Sequence, residues 1–214
     1  AFSGVRGHDN YALYKFDQLK SWIRSGDDPF FAFVNCKTAH NPYNPPRPYK
    51  RAFCEGLERP RFEFVERALE RAGYSPQSVP GMDDARLESL SRRYPIIAGE
   101  FEPTEGELDV LTAWYDGAIR YLDERIGGLL EFLSRRGDLD DTYVVVTADH
   151  GELFGEHGLE KHFYSLYEPV LRVPLVIGTP DGGAFGSRTV SEPVTLADLY
   201  PTILDLAGLT PPDR

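Results

Sequence analysis

The segment Tyr143-Val144-Val145-Val146-Thr147 constrains this chain most. It is a short continuous apolar run, the pattern of a strand buried on both faces. The run passes directly into Ala148-Asp149-His150-Gly151-Glu152. A carboxylate and an imidazole therefore stand at a strand's carboxyl end, where open α/β sheets place their ligands. Phe30-Phe31-Ala32-Phe33-Val34 and Val173-Pro174-Leu175-Val176-Ile177-Gly178 read as two further buried strands. Helical spacing separates them. Leu13, Phe16, Leu19, Trp22 and Ile23 recur between Tyr11 and Arg24, and Ser25-Gly26 stops that run. A long helix is predicted from about Glu105 to Arg136. Leu108, Leu111, Tyr115, Ala118, Ile119, Leu122, Ile126, Leu129, Leu130 and Leu133 form its apolar stripe, and Arg135-Arg136-Gly137 its C-terminus. Thr195 caps a last helix running through Ala207 and closed by Gly208. Strands alternating with helices predict an α/β fold, with a mainly parallel sheet flanked by helices.

Two stretches stand apart from that alternation. Pro42, Pro45, Pro46 and Pro48 exclude a helix or central strand at 41–48, which is expected to be a loop. Residues from about 51 to 104 read as an excursion, with helices near Phe62–Ala72 and Asp83–Arg93 among Pro and Gly breaks.

Charge narrows the partners. With 23 Lys+Arg against 34 Asp+Glu the formal net charge is −11, which speaks against nucleic acid, since phosphate neutralisation needs a basic surface. No apolar run approaches the roughly 18–20 residues of a membrane span. Cys36 and Cys54 are too few for a disulfide framework or a four-cysteine zinc site. The chain opens on Ala1 and its one methionine is Met82, so a piece of a longer protein is expected.

Asp149 and His150 can both reach one divalent cation, through oxygen and nitrogen respectively. The competing reading is an incidental Asp-His pair at a polar turn. The acids, histidines and glycines crowded into 149–158 favour a metal, although two residues do not complete a metal shell.

Four segments, in order, resemble the sulfatase family of the alkaline-phosphatase-like superfamily. They are FFAFVNCKTAHNPYNPP (30–46), YDGAIRYLDERIGGLLEFL (115–133), TYVVVTADHGELFGEHG (142–158), and LYEPVLRVPLVI (166–177) followed by VTLADLYPTILDLAGL (194–209). The resemblance implies an incomplete fragment of an alkaline-phosphatase-like catalytic domain, spanning residues 1–214. It implies a divalent cation, calcium first with manganese, magnesium or zinc as alternatives, held in part by Asp149 and His150. His40 matches a family histidine that contacts the sulfate or the leaving oxygen. A basic family residue on a sulfate oxygen corresponds to either Lys161 or His162, because the local spacing departs from the commoner pattern. Glu156 and His157 are expected to fix their loop rather than bind metal.

The implied chemistry is hydrolysis of a small-molecule or carbohydrate sulfate ester by a formylglycine nucleophile. Neither Cys36 nor Cys54 sits in the Cys/Ser-x-Pro/Ala-x-Arg motif that such a group requires. The nucleophile and two acidic ligands are expected upstream of Ala1, and this chain alone is expected to be inactive. Two alternatives stay open. One is a phosphodiesterase, phosphonate hydrolase or phosphotransferase of the same superfamily; the other is a non-catalytic binding module that keeps the fold.

Overall fold

The computed structural model describes residues 12–40, 43, 45–57, 105–162, 165–180 and 187–210. In chain order the elements are α1 (Ala12–Arg24), α2 (Arg47–Arg51), α3 (Glu105–Arg136), β1 (Val144–Thr147), β2 (Leu153–Phe154), β3 (Glu160–Lys161), α4 (Glu168–Leu171), β4 (Leu175–Gly178) and α5 (Leu199–Leu206). They divide into two compact units. The first comprises Ala1–Phe132 with Leu153–Lys161, the second Leu133–Glu152 with His162–Arg214.

Helix α3 organises the first unit. Its Val110 and Trp114 are buried with Tyr43, and Cys54, Leu57, Leu111, Tyr115 and Phe154 pack around them. About two turns further on, Tyr121 is buried against Phe16 of α1, flanked by Cys36, Tyr49, Leu122, Ile126 and Leu129. Burying such side chains contributes roughly 1.5–3 kcal/mol each before entropy is counted. The Tyr43 ring meets Tyr115 edge-on at 5.6 Å and Phe154 at 5.5 Å, and Lys50 Nζ sits 3.7 Å above the Trp114 ring centre. The apolar stripe expected from spacing is therefore part of a wider buried surface. Ala118 and Leu133 of that stripe are buried together with Val110, Trp114 and Tyr121, whereas Ile119 is exposed. Helix α3 is covered by both α1 and the 43–57 segment, so its buried surface is wider than one stripe.

Two expectations for the first unit need correction. Helix α2 forms within the proline-rich stretch, with Pro48 in its first turn. A first-turn proline loses no helical hydrogen bond, because that N–H has no intrahelical acceptor. The Tyr49 and Lys50 N–H groups both donate to the Pro46 carbonyl, at 3.0 and 3.1 Å. Phe30–Val34 forms no strand. Phe33 is 82% exposed, and Lys15 Nζ donates to the Asn35 carbonyl at 2.5 Å just beyond the segment. Strand character needs a ladder partner, and no described residue supplies one.

In the second unit β1 pairs with β4, from Val144↔Gly178 to Thr147↔Leu175. The ladder is antiparallel, as is the β2–β3 pair, so no parallel pair forms among the described residues. The connection from β1 to β4 carries only short elements and no long crossover helix, which suits an antiparallel return. Both strands are half-buried at best, not covered on both faces. Thr195 caps a 3-10 turn, Leu196–Asp198, that leads into α5 at Leu199. Its Oγ accepts from Ala197 N at 3.4 Å while Asp198 Oδ2 accepts from Thr195 N at 3.3 Å, a reciprocal capping box. Gly208 ends α5 with φ of 69°. The helices expected near Phe62–Ala72 and Asp83–Arg93 lie outside the described residues.

Gly117 sets the spacing of α2 on α3. A Cβ there would fall on the Tyr49 carbonyl, whereas one at Gly127 meets nothing within 4 Å. Gly117→Ala is expected to destabilise by about 1–3 kcal/mol through overpacking. Gly127→Ala should instead stabilise by up to about 1 kcal/mol from helix propensity. Thermal melting of the two variants checks the opposite signs.

Burial pushes the thiols of Cys36 and Cys54 up, partly offset by Lys15 for the first and by Lys50 and Arg51 for the second. A raised acid favours the folded state while its thiol is neutral. That contribution is complete below a free thiol's value of about 8.5 and is lost as pH climbs through the folded values. Iodoacetamide at pH 8 should alkylate both more slowly than a free thiol, the rate rising with pH. Mass spectrometry of the labelled chain reads this directly.

Candidate functional site

β1 ends at Thr147, whose Oγ1 donates to the Pro174 carbonyl at 2.8 Å and ties the strand end to the entry of β4. The next residues turn sharply. Gly151 N–H donates to the Val170 carbonyl at 2.7 Å, and a Cβ at 151 would fall on the Pro169 carbonyl oxygen. Only glycine fits that approach. The side chains on either side of Gly151 are thereby set on a fixed backbone.

Asp149 and His150 point their donor atoms toward each other. His150 Nε2 lies 3.8 Å from Asp149 Oδ1, and the Asp149 side chain is 87% exposed. The backbone N–H of His150 donates to the same carboxylate oxygen at 3.2 Å. His150 Nδ1 lies 2.9 Å from the Gly151 carbonyl. A carbonyl only accepts, so Nδ1 carries the proton and Nε2 presents the lone pair that a metal takes. Donor–metal bonds of about 2.3 Å spanning that 3.8 Å gap subtend roughly 110°, an ordinary ligand angle. The pair fits one divalent cation as a nitrogen and an oxygen ligand.

A second imidazole stands beside the first. The rings of His150 and His162 lie with centroids 4.0 Å apart and planes 30° from parallel. His162 Nδ1 is 2.8 Å from Glu152 Oε1, and the Glu152 side chain is only 4% exposed. Within the second unit the structure thus gathers Asp149, His150, Glu152 and His162. Glu152 is the residue that reading the sequence missed as a site member. Its signal was its place in Asp149-His150-Gly151-Glu152, but nothing in the spacing says that it turns to a residue ten positions on.

His40 and Lys161 belong to the first unit. His40 sits in consecutive turns, its N–H donating to the Lys37 carbonyl and its own carbonyl accepting from Tyr43 N, each at 3.1 Å. Lys161 closes β3 opposite Leu153, is 6% exposed and has φ of 63°. Left-handed backbone at a lysine costs of order 1–3 kcal/mol and persists only where packing holds it. In the β2–β3 loop, Glu156 Oε2 accepts from Phe154 N at 2.6 Å, and Gly155 N donates to the Leu159 carbonyl at 2.9 Å. Glu156 fixes this loop.

Known proteins place the fold. The Sulfatase family model matches residues 9–209. Arylsulfatase K of Bos taurus is 30% identical over 213 residues, covering 92% of this chain and 36% of that protein. Choline-sulfatase of Rhizobium meliloti (strain 1021) is 38% identical over 206 residues, covering 94% of this chain and 37% of that protein. The chain spans little more than a third of these relatives' length. Phosphonate monoester hydrolase of Agrobacterium radiobacter aligns in structure with a TM-score of 0.66 at 26% identity, across 92% of this chain and 38% of that one. A protein solved with its substrate D-glucosamine-2-N,6-O-disulfate gives 0.66 at 21% identity, across 94% and 49%. These neighbours share the α/β, alkaline-phosphatase-like architecture. A family match over nearly the whole length, carrying the Asp149-His150 turn with it, gives the conclusion: this chain belongs to the sulfatase family.

Proposed function

We propose that this chain is part of a divalent-metal-dependent sulfuric ester hydrolase, with Asp149 and His150 among the ligands of the cation. The observation that carries the reading is the 3.8 Å separation of His150 Nε2 and Asp149 Oδ1 at the exposed end of β1. Calcium is the first candidate, because sulfatase membership and the carboxylate favour it; the carboxylate also suits manganese and magnesium, and the imidazole suits zinc. When bound, the cation supplies Lewis-acid stabilisation of charge on the sulfuryl oxygens.

The chain's own residues do the remaining work. The Gly151 carbonyl holds the His150 proton at Nδ1, so that Nε2 is kept for a ligand. His162, stacked 4.0 Å from the His150 ring, is better placed than the buried Lys161 to present a donor to a sulfate oxygen. His40 is assigned to the sulfate or the leaving oxygen by its match to the family loop. The nucleophile, a formylglycine, is assigned to the parent protein outside residues 1–214, since neither Cys36 nor Cys54 has the motif around it.

A phosphonate monoester is the second reading, supported by the structural match to the Agrobacterium radiobacter hydrolase. Both readings predict the same metal dependence and differ in substrate.

In the full-length protein, Asp149→Ala and His150→Ala should each lower kcat/KM for 4-nitrophenyl sulfate by about 100-fold or more. EDTA should do likewise, with activity restored by added calcium. Turnover that survives EDTA and both substitutions removes the metal assignment. Faster turnover of 4-nitrophenyl phenylphosphonate than of the sulfate transfers the assignment to the second reading.

A further inference from the structure

We propose that Glu152 is the positioning residue for His162, locking that imidazole with Nδ1 protonated so that Nε2 is the atom turned to the sulfate ester. The substrate class rests on the function proposed above; the lock itself does not.

Glu152 is one of three buried polar or charged residues among those described, with Thr38 and Lys161. A carboxylate at 4% exposure persists only with a partner, and His162 Nδ1 at 2.8 Å is that partner. The carboxylate accepts hydrogen bonds and donates none, so the proton of this contact resides on Nδ1. An imidazole held this way cannot turn over about its last side-chain bond without losing the contact inside a buried site. Nε2, on the opposite edge of the ring, then has one orientation.

Both ends of the contact are anchored in the backbone. Glu152 follows Gly151, whose N–H is held by the Val170 carbonyl at 2.7 Å and whose Cα is pressed against Pro169. The His162 ring is in turn braced by the His150 ring at 4.0 Å. A flexible lysine would need to be ordered at the moment of substrate binding. A histidine fixed by Glu152 is ordered in advance, and a group misplaced by about 1 Å can cost on the order of 100-fold in rate. Glu152 therefore touches no reacting atom and acts through His162.

The test reads the ring directly. Long-range 1H–15N spectra of the chain at pH 8.5, with His162 assigned through His162→Gln, should show a protonated Nδ1. Glu152→Ala removes the acceptor, and Glu152→Gln keeps the shape while replacing the charged acceptor by a neutral amide whose NH2 can donate to an unprotonated Nδ1. Both should move Nδ1 of His162 toward the unprotonated, pyridine-type signal, and Glu152→Gln should keep the melting temperature within about 3 °C. In the full-length protein, Glu152→Gln should lower kcat for 4-nitrophenyl sulfate by about 10–100-fold while KM changes less than about threefold. An unprotonated Nδ1 in the unmodified chain overturns the proposal. So does Glu152→Gln that leaves both the His162 signals and kcat unchanged. Absence of sulfate ester hydrolysis in the unmodified protein would count against the sulfatase reading alone, because the spectra decide the lock without turnover.

Discussion

The N–H of Gly151, 2.7 Å from the Val170 carbonyl, is the contact on which the site rests. It brings the turn after β1 so close to the Pro169–Val170 backbone that no side chain fits at 151. Asp149 and His150 leave the strand on one side of this pinch and Glu152 on the other. The donor pair and the buried carboxylate share one rigid anchor. Thr147 Oγ1 on the Pro174 carbonyl secures the strand end just before it. Hydrogen bonds of this kind contribute only about 1 kcal/mol each to stability. Their larger effect is on geometry, since they remove the backbone freedom that would let the donor atoms drift apart.

Close approach also governs the first unit, through a different glycine. Gly117 lets the Tyr49 backbone lie directly on α3, and Tyr43, Val110 and Trp114 are sealed nearby. The aromatic contacts around Tyr43 and the Lys50 ammonium over Trp114 show how the proline-rich stretch is held. It contributes packing as well as a loop. Pro48 is compatible with this because it occupies the first turn of α2.

Sulfatase membership and the local geometry address different questions. Membership identifies a superfamily that works on tetrahedral oxyanion esters around a metal. The geometry shows the local arrangement in this chain, with His150 Nε2 facing Asp149 Oδ1 and His162 braced by Glu152. The two histidines share one solution to the tautomer problem. Each gives its Nδ1 proton to an acceptor-only oxygen, a carbonyl for His150 and a carboxylate for His162.

Local chemistry made much of this legible. Helix α3 runs over the residues its periodicity predicts, α1 is within a residue of expectation, and Thr195 caps as its neighbours imply. Such features depend on residues three or four apart, so the chain encodes them without reference to distant partners. The burial of Val110, Trp114 and Tyr121 beside the α3 stripe, the failure of Phe30–Val34 to pair and the antiparallel sense of β1 with β4 were not legible. Each is settled by what packs or hydrogen-bonds across a long sequence separation. The site divides along the same line. Asp149 and His150 are neighbours at a strand end, so the sequence determined their candidacy alone. The convergence of their donor atoms, and the meeting of Glu152 with His162, were decided by tertiary structure, because only the folded backbone brings those side chains within hydrogen-bonding and coordinating distance.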